Sequence, residues 1–477
     1  MPLPTVQTRV DGPMMPVSRQ STRRRHSSNS LEGQRGSLQT TKETLHGDLS
    51  VRDRIHHFTL AWFTCTMSTG GIALLLSQTP HRFHGLQAIG DIVLILDIVL
   101  FLLFCSLLAA RFTLFPQTMR SCLTHPTESL FIPTFWISIV NIFSNIQQYG
   151  VPHTGYWLVV TLRVLFWLYA ALTLCIATGQ YYFLFTGKPL TVQNMTPQWI
   201  LPIFPIMLCG TLASLISPSQ PSSQALPILI AGISFQGLGM LIAVFMYGPY
   251  ISRLMTSGLP NPNTRPGMFI AVGPPSFTGL ALLGISNDLG RIYPSYTSIS
   301  GVSDPAIIPD VFRILAVAVA VFLWATAFWF FSISLVSTLA GALGMQGMSF
   351  HLVWWSFGKL YSHPILLFSA ITSESSDPGS SIGACLHISV GSSAPQLLNS
   401  PLRFRKAYTN SIVFPNVGFT IVTIELGSAL MSEGVLWLGS VMTVLLVVIW
   451  LFVGGMHIRA VLKGDILWPG KDEDHDQ

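Results

Sequence analysis

The sequence predicts an all-α membrane protein of ten transmembrane helices, paired as five hairpins, with the odd-numbered helices lining a central pore. Three observations carry this expectation. Half of the residues are hydrophobic and only 9% are charged, against roughly a quarter charged in an ordinary soluble domain. Ten apolar stretches come near or exceed the ~20 residues a helix needs to cross a bilayer. Proline and glycine then fall by turns, breaking the odd-numbered stretches and sparing most of the even ones.

The stretches lie near residues 58–77, 86–110, 129–148, 156–184, 195–217, 225–248, 267–288, 308–338, 349–431 with an interruption, and 434–456. The first contains Ser68-Thr69-Gly70-Gly71, the third Pro133, the fifth Pro202 and Pro205, the seventh Gly273-Pro274-Pro275, and the ninth Pro415 with Gly418. Irregular backbone at membrane depth is tolerated where other protein or a water-filled cavity satisfies the freed N–H and C=O groups. The odd spans, to which interior prolines are read as confined, are therefore expected inside and the even spans toward lipid. Gly232, Gly237 and Gly239 of the sixth span read as a close-packing face.

Residues 1–50 are polar and rich in Ser and Arg, with no apolar core, and are expected to form a disordered cytosolic tail. Within it, Arg23-Arg24-Arg25-His26-Ser27-Ser28 reads as a solvated segment resting on anionic lipid. Residues 51–465 form the ten-helix domain, and 466–477 an acidic cytosolic tail. With both termini inside, Arg111, Arg120, Lys188, Arg253, Arg265, Arg459 and Lys463 fall on the cytosolic side and Arg82 and Arg291 outside, as the positive-inside rule favours. The six cysteines are scattered without a CxxC pair, and the histidines make no HExxH set. No Walker loop or nucleophile elbow appears. No metal, cofactor or nucleic-acid partner is expected, and ATP-driven pumping and hydrolysis lose their support.

Polar residues recur on the odd spans at helical spacing. Thr64, Ser68 and Gly71 share a face of the first, and Ser138, Asn141, Asn145 and Gln148 a face of the third. Thr211 and Ser214 belong to the fifth span, Ser276 and Asn287 to the seventh, and Asn416, Thr420 and Thr423 to the ninth. Hydroxyls and amides donate hydrogen bonds without holding an ion tightly, which suits a permeating anion. The same groups also tie helices together, so each residue alone reads either way. Of the sparse intramembrane charges, Asp97 and Arg163 read as an ion pair between hairpins in preference to a substrate site. Glu425 is the candidate protonation site, weighed against a solvated helix end.

Several stretches resemble the tellurite-resistance/dicarboxylate transporter family. They are Thr264-Arg265-Pro266-Gly267-Met268-Phe269-Ile270 with Gly273-Pro274-Pro275-Ser276, the run from Phe58 to Gly71, and His125-Pro126-Thr127-Glu128-Ser129. The likeness covers roughly residues 50 to 465 and, within the family, is most similar to fungal malate permeases, with fungal sulfite efflux pumps as runner-up. The resemblance implies a quasi-fivefold ring of ten helices, a homotrimer with one pore per subunit, and a ninth-helix phenylalanine that closes the pore. On that match Phe414 is the candidate gate.

The family's ninth-helix pattern is cut in two here. Trp354-Trp355-Ser356-Phe357 is separated from Val413-Phe414-Pro415 by residues 358–412, which are Ser-rich and carry Asp377-Pro378-Gly379 and Arg403-Phe404-Arg405-Lys406. A loop of that length in mid-helix is uncommon. The segment reads as a retained intron: Gly358-Lys359 can be encoded by a splice donor, Thr409-Asn410 by a branch point, and Ile412-Val413 by a terminal AG that restores the frame. A regulatory insertion is the alternative, and a chain keeping the segment is expected to lose transport.

The sequence thus points to a plasma-membrane carrier of small dicarboxylate anions, malate or other C4 acids such as succinate, taken up with protons. A sulfite exporter or anion channel on the same scaffold is the alternative. A membrane-embedded enzyme lacks paired carboxylates or an activated nucleophile in its spans, and a non-functional product remains a third reading.

Overall fold

The computed structural model describes residues 51–124, 128–187, 191–262, 264–292, 305–343 and 413–462. The chain divides into two units, Met1–Asp53 and Arg54–Gln477, and every membrane-length helix lies in the second. The predicted tails at 1–50 and 466–477, the segment 358–412 and the preceding Trp354-Trp355-Ser356-Phe357 lie outside the described residues.

The described residues are helical, without strands. In chain order the helices are α1 (Phe63–Gln78), α2 (Leu86–Leu114), α3 (Ile132–Asn145), α4 (Tyr156–Thr186), α5 (Cys209–Ile216), α6 (Ser222–Ser257), α7 (Gly273–Ile292), α8 (Ile308–Leu343), α9 (Val413–Ala429) and α10 (Glu433–Leu462). Short helical pieces extend the odd members: Leu60–Trp62 precedes α1, Pro197–Ile203 and Phe204–Met207 precede α5, and Arg265–Val272 precedes α7. Among the described residues nine helical segments are long and apolar enough to cross a membrane, and α9 adds a shorter apolar helix.

Burial follows the predicted alternation. The spans containing α1, α3, α5 and α7 bury 100, 61, 94 and 89% of their most apolar stretch, whereas those of α2, α4, α6, α8 and α10 bury 17 to 33%. Of α9, every residue from Val413 to Ile424 is buried. A helix apolar on all sides belongs in an interior, and one that exposes Ile, Leu, Val and Phe along its length is solvated by lipid tails. The inner helices touch in sequence order, α1 on α3, α3 on α5, α5 on α7 and α7 on α9, and α9 returns to α1. Each even helix packs on inner ones: α2 on α1, α4 on α5, α6 on α5 and α7, α8 on α7, and α10 on α9.

Apart from Pro202, which lies inside the 3₁₀ turns before α5, the prolines act differently from the expectation. Pro133 and Pro205 occupy the first turn of a helical piece, Pro274 and Pro275 open α7, and Pro415 is the third residue of α9. In a first turn, proline surrenders no intrahelical hydrogen bond, because that N–H has no partner there anyway. The irregularity is a change of helix type: 3₁₀ turns precede α1, α3, α5 and α7, and a π turn covers Ile146–Gly150 after α3. Helix α1 runs unbroken through Ser68 to Gly71, and α9 through Gly418. Prolines are not confined to odd spans either: Pro227 and Pro249 lie inside α6, each within about two turns of an end, so its centre stays regular. The expected packing face of α6 is two glycines. Gly232 sits against Ala213 and Gly239 against Met207, while Gly237 faces open space.

Candidate functional site

All five inner segments meet at one pocket near their entry turns. Thr64 and Met67 come from α1, Thr134 and Ile137 from α3, Leu201 and Phe204 from the turns before α5, Ile270 from the turn before α7, and Phe414 and Pro415 from α9. Its walls are mostly apolar, and its cavity volume is about 10 Å³, room for about one water. A small carboxylate does not pass at this width.

Phe204 and Phe414 line the pocket together with Phe131, and Phe277 packs against the first two. Phe414 is stacked on Phe277 with ring centroids 4.9 Å apart and packs edge-on to Phe204 at 6.3 Å. Each ring covers a glycine on another inner helix. A Cβ at Gly273 would lie 2.5 Å from Phe204, one at Gly418 2.8 Å from Phe277, and one at Gly71 3.1 Å from Phe414. Rings can approach backbone this closely only where no side chain intervenes. The cluster thus runs from the fifth span over the seventh and ninth to the first.

Sequence reasoning singled out Phe414 and missed Phe204 and Phe277. A signal was present, since Phe-Pro occurs at both 204–205 and 414–415, and Phe277 follows Pro274-Pro275 by one turn.

The predicted stripe residues differ in what they bond and where they face. Thr64, Ser276 and Thr420 are buried, and their hydroxyls donate to carbonyls of their own helices, of Ala61 at 2.7 Å, Val272 at 2.7 Å and Asn416 at 2.8 Å. Such back-bonding leaves the hydroxyl lone pairs free to accept. Thr64 alone of these lines the central pocket. On α3 the stripe faces α1: Asn141 donates to the Met67 carbonyl at 2.9 Å and Asn145 to the Gly70 carbonyl at 2.8 Å, while Ser138 and Thr66 share a 2.8 Å hydrogen bond. Tyr149 extends the seam with 2.7 Å to the Ala73 carbonyl. Ser68, Asn416 and Gly71 are buried among the inner helices. The buried hydroxyl of Thr211 has no hydrogen-bond partner among the described residues. Asn287 is exposed.

The expected Asp97–Arg163 pair does not form. Asp97 is fully buried, and neither carboxyl oxygen is bonded to a side-chain donor or cation among the described residues. It lies on the inward stripe of α2 with Gly90, Val93 and Phe104, and its carboxyl rests against Gly70. Arg163 is on α4, which packs on the fifth span. Matching depth did not imply matching direction. Glu425 is half-buried at the far end of α9 and lines a second, polar pocket with Asn287 and Arg313.

Comparison with known proteins identifies the family. The voltage-dependent anion channel family matches residues 57–384 and 379–458. A malic acid transport protein of Schizosaccharomyces pombe is 33% identical over 89% of this chain and 83% of its own length. A putative malic acid transport protein of the same organism is 32% identical over 90% and 85%. A sulfite efflux pump of Trichophyton rubrum is 24% identical over 67% of this chain and 82% of the pump.

Proposed function

The chain belongs to the voltage-dependent anion channel family, and we propose that it carries small C4 dicarboxylate anions, malate foremost and succinate with it, across the plasma membrane together with protons. The observation that carries this reading is the pocket bounded by all five inner segments, with Phe414 among its lining residues. The substrate class is supported by the relatives named for malic acid transport, which match nine-tenths of the chain.

In this reading the inner helices belong to a quasi-fivefold ring of ten, three copies of the chain assemble into a trimer, and both termini face the cytosol. Phe414 swings off Gly71 to open the path. Thr64, Ser68, Thr211, Ser276, Asn416 and Thr420 offer polar atoms to the passing anion in place of water. Asn141 and Asn145 brace that wall through α1, and Glu425 receives the proton. Residues 358–412 are a retained intron, with a regulatory insertion as the alternative. Sequencing of the mature transcript tests it, and messages that all keep these codons would refute it.

A second reading, sulfite export, is favoured by the relatives named as sulfite efflux pumps, over a smaller share of the chain. Liposomes containing the protein, with and without residues 358–412, separate the two. Uptake of labelled malate driven by an acid exterior, exceeding any sulfite flux, is the expected result. Sulfite flux without malate flux would overturn it in favour of export.

A further inference from the structure

We propose that the polar pocket at the end of the bundle opposite Phe414 is a docking site for a small hydroxy-carboxylate, with Arg313 binding the carboxylate and Glu425 accepting a hydrogen bond from the hydroxyl. It deepens the dicarboxylate reading of the function and rests on it.

The pocket lies between two inner helices and one outer helix. Asn287 comes from α7, Arg313 from α8, and Glu425 and Ser428 from α9. Its lining is mainly polar, unlike that of the central pocket, and its cavity volume is about 30 Å³. Glu425 stands three helical turns from Phe414, roughly 16 Å along the axis at 1.5 Å per residue. An anion reaching the inner helices from this end meets the polar pocket before the phenylalanines.

Asn287, Arg313 and Ser428 are exposed and stand at the mouth of the pocket, and their partners differ from those of the neighbouring arginine. Arg291, at the same end of α7, is committed: its guanidinium donates to the Ser217 carbonyl at 2.9 Å and lies 3.7 Å from Asp288. Arg313, the Asn287 amide and the Ser428 hydroxyl have no hydrogen bond or ion pair among the described residues. Arg313 and Glu425 line the same pocket without closing into a salt bridge. A guanidinium presents a planar fork of N–H groups that matches a carboxylate bidentately. Until it takes up the transported proton, the carboxylate of Glu425 accepts but does not donate, so it takes a hydroxyl in preference to a carboxylate. A pocket that offers a cation, neutral donors and an acceptor fits an acid whose hydroxyl neighbours its carboxylate.

Calorimetric titration of the purified full chain with malate, and with succinate as the analogue lacking the hydroxyl, tests the assignment. Wild type should bind malate about tenfold tighter than succinate, the worth of one charge-assisted hydrogen bond. Arg313→Gln should weaken both acids alike by about tenfold, and Arg313→Lys by less. Glu425→Ala should abolish the preference for malate while leaving the protein folded, as its unfolding temperature reports. Malate binding unaffected by Arg313→Gln, or a malate preference unaffected by Glu425→Ala, would overturn the docking site and leave the carrier reading intact. Absence of binding of either acid to wild type would overturn both.

Discussion

The ring of Phe277 lies 4.9 Å from that of Phe414, inclined by only 24°, and its edge fills the space above Gly418. The gate candidate is therefore held from one side by stacking, and its holder is seated on the helix that carries it. Stacked aromatic pairs contribute about 1 kcal/mol beyond their buried area. Phe277→Ala should shift the balance toward an open gate by roughly fivefold, read as malate flux per folded protein in liposomes. A lower unfolding temperature without increased flux would make Phe277 a packing residue alone.

The seam between α3 and α1 should act on stability more than on selectivity. Asn145 gives its amide to the Gly70 carbonyl and Asn141 to the Met67 carbonyl. Interhelical hydrogen bonds in membranes are worth about 0.6 to 2 kcal/mol each. Asn141→Leu and Asn145→Leu should each lower the unfolding temperature in detergent and leave the malate-to-succinate flux ratio unchanged. A changed ratio with unchanged stability would move these amides from brace to pathway.

Gly70 and Asp97 should be coupled. A methyl group at Gly70 would lie 2.7 Å from Asp97 Oδ2, so Gly70→Ala forces the carboxyl out of place inside a packed interior. Overpacking of this kind costs about 1 to 3 kcal/mol. Asp97→Ala removes the obstacle, and the double variant should recover most of the stability lost by Gly70→Ala alone, a coupling that a thermal-unfolding cycle measures. Simple additivity of the two changes would contradict the contact.

Arg111 donates to Glu128 at 2.8 Å, with both side chains nearly buried, joining the end of α2 to the entry of the third span. Removing one member strands the other, at a cost of about 3 to 5 kcal/mol. Glu128→Gln should therefore sharply lower the yield of folded protein. Burial raises the pKa of the nearby Cys122 thiol and the Glu128 carboxylate adds to the rise, with Arg111 opposing it. The thiol thus stays protonated at mildly alkaline pH, and only the thiolate attacks. At pH 8 iodoacetamide should leave Cys122 unmodified in the folded protein and label it once the chain is unfolded; labelling of the folded protein at that pH would contradict this.

Composition and the Pro/Gly pattern made the inner and outer helices legible, because an inner span needs apolar residues on all sides and an unusual entry turn. What the prolines do was not legible. A proline at a first turn and one in mid-helix look alike until the helix start is fixed, and the starts of α5 and α7 depend on 3₁₀ turns. The polar face of α3 followed from spacing, but that it addresses the carbonyls of α1 is a tertiary fact. Asp97 was mispaired for the same kind of reason. Its neighbours at Leu86, Gly90, Val93, Phe104 and Arg111 form an inward stripe, so periodicity could have turned it toward α1 and away from Arg163. Phe414 was found through resemblance, whereas Phe204 and Phe277 required the packing.

The central claim is that malate passes between the five inner segments and is stopped by Phe414. Malate flux through Phe414→Ala, compared with wild type at equal amounts of folded protein in liposomes, tests this most directly. The account predicts a rise well above the roughly fivefold expected for loosening Phe277 alone. Flux equal to or below that of wild type, in a variant that folds and binds malate, would contradict it.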